Sequence, residues 1–208
     1  MGNRAVITTR DRELALYVHW NGGRQCIEGF LKYCEIREFR PPETDSYGWA
    51  RLCQVIANYF GAEGLHVGIA PYTDDSCSDP GDNGIYVISN WRIVEHFGGI
   101  YDHEKIKEDF DMARWLEAID ERQPEGQRLG PDGLRAPLVP RGDLRVGDRI
   151  IARDIGNEFR RVTVYAVQRF PDNPDFVSVF ADFYKNAYGA PEQTIHNALT
   201  RDAYRRIG

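Results

Sequence analysis

The hydrophobic period of this chain switches between two residues and between three and four, and that switching limits its folds more than any other feature. Ala5-Val-Ile-Thr-Thr9 and Leu14-Ala-Leu-Tyr-Val-His-Trp20 are β-branched and aromatic strings broken by the charged turn Arg10-Asp-Arg-Glu13, the pattern of a hairpin. After the break at Asn21-Gly22-Gly23, Ile27, Phe30, Leu31 and Cys34 recur at helical spacing, and Arg40-Pro-Pro42 marks the exit from that helix. A second stripe of Leu52, Val55, Ile56, Tyr59 and Phe60 predicts a helix capped by Asp45 or Ser46 and stopped by Gly61. Strand-like strings return at residues 65–69 and 85–88, on either side of a polar loop, and Asn90-Trp91-Arg-Ile-Val94 extends the second of them or pairs as a third. One-sided helices and strands bury their apolar faces only against each other. The expected fold is therefore α+β, an N-terminal mixed sheet with packed helices.

Farther along, Ile106, Phe110, Trp115, Leu116 and Ile119 predict a helix from 103 to about 121, with Asp102 as a candidate cap. Residues 123–142 are rich in Pro and Gly and lack periodicity, which makes them the expected linker between a domain at 1–122 and a module at 143–208. In that module, strings at 149–152, 161–167 and 176–180 read as strands of a small barrel or curled sheet. A closing helix is expected from Pro191 through Ile195, Leu199 and Tyr204.

Charge is unevenly spread. Lys plus Arg against Asp plus Glu number 8 against 8 in residues 1–73, 5 against 14 in 74–125 and 13 against 10 in 126–208, giving net charges of 0, −9 and +3. The acidic middle repels phosphate backbones and attracts basic surfaces. Glu108, Asp109, Glu117 and Asp120 are its candidate docking residues, for a protein partner with a basic surface; otherwise they form a solvated helix face. The mildly basic module offers Arg149, Arg153 and Arg160 for contact with phosphates or carboxylates, within a run that also holds Arg141, Arg145 and Arg161. Strand alternation separates Arg160 from Arg161.

Catalytic signals are thin. His19 stands just before the Asn21-Gly22-Gly23 turn and Cys26 just after it, near a helix start that lowers a thiol pKa, so the two form the candidate Cys–His pair; the bland alternative is a strand-end His and a half-buried Cys. Asp74, Asp79 and Asp82 fall in a loop that lacks the spacing of an EF-hand, leaving only a weak hard-cation site. Zinc spacing is absent, as are the nucleophile-elbow, P-loop and dinucleotide glycine motifs, so no metal and no cofactor is expected. Cys26, Cys34, Cys53 and Cys77 contain no C-x-x-C pair and read as reduced thiols. With no apolar run near the roughly 18 to 20 residues that cross a bilayer and no apolar signal core in residues 1–12, a cytoplasmic setting is expected.

Four strings, Asn3-Arg-Ala-Val-Ile7, Tyr17-Val-His-Trp-Asn-Gly-Gly23, Tyr47-Gly-Trp-Ala-Arg-Leu-Cys-Gln-Val-Ile56 and Asp82-Asn-Gly-Ile-Tyr-Val-Ile88, resemble a group of proteins carried by bacterial prophages and conjugative elements. The group has no established catalytic residues, so none is carried over. What the resemblance implies is a setting: proteins of mobile elements serve replication, transfer or the blocking of host defences, anti-CRISPR inhibition included, and many act by binding. The expectation is an accessory interaction protein that binds a host or element-encoded protein. The alternatives are a small enzyme using Cys26 with His19 and a nucleic-acid-binding factor using the C-terminal arginines.

Overall fold

A computed structural model describes residues 3–61, 66–73, 81–100, 110–153, 159–172, 176–185, 191–199 and 203–207. The chain divides into two compact units, Met1–Pro124 and Glu125–Gly208. Among the described residues no helix is long and apolar enough to cross a membrane.

The first unit is a mixed sheet with three helices. Strands β1 (Ala5–Thr9) and β2 (Leu14–Val18) form the expected hairpin, with Ala5 opposite Val18. Helices α1 (Arg24–Ile36) and α2 (Ser46–Phe60) follow, then β3 (Val67–Pro71), β4 (Ile85–Ser89), β5 (Arg92–Phe97) and α3 (Met112–Glu121). The sheet order is β3-β2-β1-β4-β5, with β4 parallel to β1 and the other pairs antiparallel.

Helix α1 buries Ile27, Phe30, Leu31 and Cys34, as their spacing requires, and adds Gly29, Tyr33 and Ile36. Asp45 caps α2 by accepting from the amides of Tyr47 and Gly48, and Gly61 ends it at φ 78°. Full burial of side chains such as Leu31, Leu52 and Ile56 contributes about 1.5–3 kcal/mol each. Gln123 locks the helices together: its amide nitrogen donates to the carbonyls of Val55 (3.3 Å) and Ile119 (3.0 Å), and its oxygen accepts from Asn58 (3.0 Å).

Strand β5 is a third strand rather than an extension of β4. The two-residue turn between them, Asn90-Trp91, has positive φ at both positions (48° and 62°), as a hairpin of that length demands. A Trp there is strained, and burial holds it: its indole N–H donates to the Phe39 carbonyl at 2.9 Å.

Helix α3 starts later than its periodicity predicts. Phe110 and Asp111 are non-helical, and Asp111 caps the helix by accepting from the Arg114 amide at 3.0 Å. A helix continuous from 103 is therefore excluded, while Asp102 lies outside the described residues.

The second unit contains α4 (Gly130–Arg135) and β6 (Leu138–Pro140), followed by β7 (Arg149–Arg153), β8 (Phe159–Arg169), β9 (Phe176–Lys185), β10 (Pro191–Leu199) and β11 (Ala203–Arg206). The stretch expected as a linker thus contributes a helix and a strand, and β6 pairs with β11. The six-stranded antiparallel sheet has the order β10-β9-β8-β7-β11-β6. Its end strands do not pair, so the expected barrel is corrected to an open sheet. The expected closing helix is also corrected, because the backbone from Pro191 to Leu199 pairs with β9 throughout its length. Leu144, Ile150, Val162, Val164, Val179 and Ala181 form the core on one side.

Candidate functional site

Around the turn between β2 and α1, His19 and Cys26 have different described neighbours. His19 Nδ1 shares a hydrogen bond with the Tyr17 hydroxyl at 3.0 Å, and its ring lies against Trp20 and, at 6.4 Å between centroids, His66. Tyr17 belongs to the apolar cluster of Val6, Ala15 and Ile85, on one side of the sheet. Tyr86, one register position from Ile85, faces the other side, where Arg24, Glu28 and Cys26 of α1 act on its buried hydroxyl. Burial pushes that hydroxyl well above its ordinary pKa. Cys26 is half-buried in the first turn of α1, its carbonyl accepting from Trp115 Nε1 at 3.3 Å. No hydrogen bond or ring contact joins it to His19.

Asp120, expected on an acidic face, is turned inward and is 3% exposed. It accepts the Tyr33 hydroxyl at 2.6 Å, and that hydroxyl accepts from Arg37 Nη1 at 3.0 Å. Burial, partly offset by Arg37 and reinforced by Asp120, pushes the Tyr33 pKa well up. Glu117 is half-buried on α3, while Glu108 and Asp109 lie outside the described residues. So do Asp74 and Asp79, leaving Asp82 of the expected cation loop, 7% exposed beside Asn83. Among the described residues no group of three or more His, Cys, Asp or Glu is placed to hold a metal ion.

In the second unit the register separates the expected arginines. Arg160 pairs with Ala152, a position that alternates with Arg149 and Arg153, so it does not share their side. Arg149 and Arg160 are exposed; the side chain of Arg153 is outside the described set. Arg161 donates to the Leu129 carbonyl at 2.9 Å, and buried Arg141 bonds the Tyr204 hydroxyl and lies over its ring. Instead, Arg145, Arg169 and Arg206 line, with Asp143, Leu138 and Val139, a groove of about 400 Å³. Arg145 came from the sequence run; Arg169 and Arg206 stand 24 and 61 positions beyond it and only the sheet brings them there.

A groove of about 440 Å³ in the first unit is lined by Glu28, Lys32, Glu35, Arg92 and Met112. Its charges are mutually paired. Glu28 binds Arg24 at 2.8 Å, and Glu35 binds Lys32 at 2.7 Å and Arg92 at 2.9 Å. Partial burial opposes the charge on Glu35, but the two cations prevail and hold its carboxyl below the ordinary value.

The edge strand β3 has the opposite character. Val67-Gly-Ile-Ala-Pro71 carries no charge, its last four residues are exposed, and Ile69 shows 51% of its surface. Bonded pairs with β2 at both ends, His19 N–H to His66 and Tyr72 N–H to Glu13, fix the parity of the ladder. Gly68 and Ala70 therefore bond inward to β2, while the N–H and C=O of Val67 and Ile69 point away from the sheet. Among the described residues no strand pairs there. Charge, a mid-strand proline or a bulge normally protects such an edge, and β3 has only its terminal Pro71. This edge was not singled out from sequence; the signal available was an uncharged string beside Pro71.

No family model, no curated protein and no solved structure matches the chain.

Proposed function

We propose that the protein acts by binding, as an accessory interaction protein of a phage or mobile element that engages a host or element-encoded protein. The observation that carries this reading is the open β3 edge: two residues, Val67 and Ile69, present backbone groups that no described residue pairs, beside exposed apolar side chains. An extended segment of a partner adds to such an edge by main-chain hydrogen bonds, with side-chain contacts selecting the sequence. The acidic block at residues 74–125 favours a partner with a basic surface and speeds its encounter at low salt. Within the setting implied by the sequence strings, inhibition of a nucleic-acid-processing defence complex is the form this binding takes. The hydrogen bond of His19 to Tyr17, with none to Cys26 among the described residues, weighs against the small-enzyme alternative.

The test is affinity capture from host lysate with tagged wild-type protein, Ile69→Pro, Ile69→Lys and Cys26→Ala. The amide of Ile69 points outward, so proline removes no bond of the sheet. A specific protein retained by the wild type and by Cys26→Ala, and lost from both Ile69 variants, supports the reading. Retention by folded Ile69→Pro removes the edge as the site, and loss with Cys26→Ala alone restores the enzyme.

A further inference from the structure

The groove of the second unit carries an assignment of its own. Its cations are all arginine, whose planar fork matches the oxygens of phosphate better than an ammonium does. Arg169 is held in place: one terminal nitrogen donates to the carbonyls of Gly142 (2.7 Å) and Leu144 (3.3 Å). A guanidinium has five N–H donors, so among the described residues three on Arg169 are left for a ligand. Arg206 lies 3.6 Å from Asp148, an ion pair too long for a hydrogen bond, and among the described residues its side-chain donors are not otherwise engaged. Among the described residues the Arg145 side chain has no hydrogen bond or ion pair, while its backbone amide is tied to Asp148 at 2.9 Å. Three cations stand against the single lining carboxylate of Asp143; with Asp148 behind Arg206 the balance remains positive.

We propose that Arg145, Arg169 and Arg206 form a phosphate-binding site, and that its ligand is the backbone of a single-stranded nucleic acid. A groove that presents three guanidiniums, one of them anchored, suits a flexible single strand, whose backbone can set successive phosphates on the cations as it follows the groove. The site is independent of the β3 edge, so either assignment survives loss of the other.

The experiment measures binding of a fluorescent 12-nucleotide single strand, and of inorganic phosphate by calorimetry, to the full chain over a range of salt. The expected result is salt-dependent binding of the oligonucleotide, with Arg145→Ala weakening it about 5- to 10-fold and lowering the slope of log K against log salt by about 0.7, the value of one phosphate contact on a single strand. Asp143→Asn tightens binding, which a merely structural role for the groove does not predict, and Arg10→Ala in the first unit changes nothing. Because Arg169 also ties its loop, Arg169→Lys serves as the second variant: it keeps the charge and loses the fork, and weakens binding with its circular dichroism unchanged. Binding of phosphate without the oligonucleotide keeps the site and overturns the nucleic-acid ligand. Equal competition by a poly-glutamate peptide, wild-type affinity in both Arg145→Ala and Asp143→Asn, or binding of neither ligand overturns the site.

Discussion

Tyr33 donates its hydroxyl hydrogen to Asp120 at 2.6 Å, joining α1 to α3 across 87 positions of sequence inside the first unit. The bond takes a carboxylate that charge counting assigns to the surface and makes it part of the helix packing. Tyr33→Phe removes a donor from that buried carboxylate and is expected to destabilise the unit by about 1–3 kcal/mol. The urea midpoint at neutral pH measures it; an unchanged midpoint would show that Asp120 loses nothing when the hydroxyl goes.

Gly29 provides a second contact between the same helices. A Cβ there would sit 2.1 Å from Trp115 Cδ1, so the ring packs directly on the α1 backbone. Gly29→Ala gains up to about 1 kcal/mol of helix preference but forces the indole to move, an overpacking cost of about 1–3 kcal/mol. The expected outcome is a net loss of stability together with a shift in tryptophan emission. A more stable variant with unchanged emission would show that Trp115 has room to give.

The cysteines are expected to react in order of exposure. Burial pushes the Cys34 thiol well up, with Arg37 offsetting only part of the effect, and half-burial raises Cys53 as well. Under native conditions a thiol-specific alkylating reagent should leave Cys34 unlabelled for as long as the unit stays folded, since the thiolate is the reactive form. Rapid labelling of Cys34, located by peptide mapping, would contradict its burial.

Glu35 predicts a small acid-side loss of stability. Its carboxyl is held below the ordinary value by Lys32 and Arg92, so its contribution is complete above the unfolded value of about 4.3 and disappears as pH falls through the lower folded value. Because Glu35 is partly exposed, solvent screening keeps the contribution below about 1 kcal/mol. Wild type and Glu35→Gln should differ in urea midpoint at pH 7 and converge near pH 3. A gap that persists at pH 3 would point to a packing role for the side chain.

Much of the first unit was legible because its signals are local. Asp45, one of the two cap candidates, and Gly61 bound α2, since a cap and a stop act within one turn of the helix they define. The candidate sites were less legible. His19 and Cys26 are seven positions apart, yet among the described residues His19 bonds to Tyr17 while the Cys26 carbonyl, in the first turn of α1, accepts from Trp115. Arg145, Arg169 and Arg206 carry no common motif, and only strand pairing makes them neighbours.

By itself, the sequence determined the hairpin, the apolar stripes of α1 and α2, and the uneven charge, all set by the spacing of neighbouring side chains and by caps. Tertiary structure decided the rest. Ile195 and Leu199 suit a helix as well as a strand, and the long pairing with β9 makes them strand because paired backbone outweighs a weak local preference. Closure of the second sheet depended on whether its first and last strands meet, and the open order from β10 to β6 leaves them apart. The inward turn of Asp120 and the outward amides of β3 follow from the same cause: which polar groups find a partner is settled by residues far away in the chain.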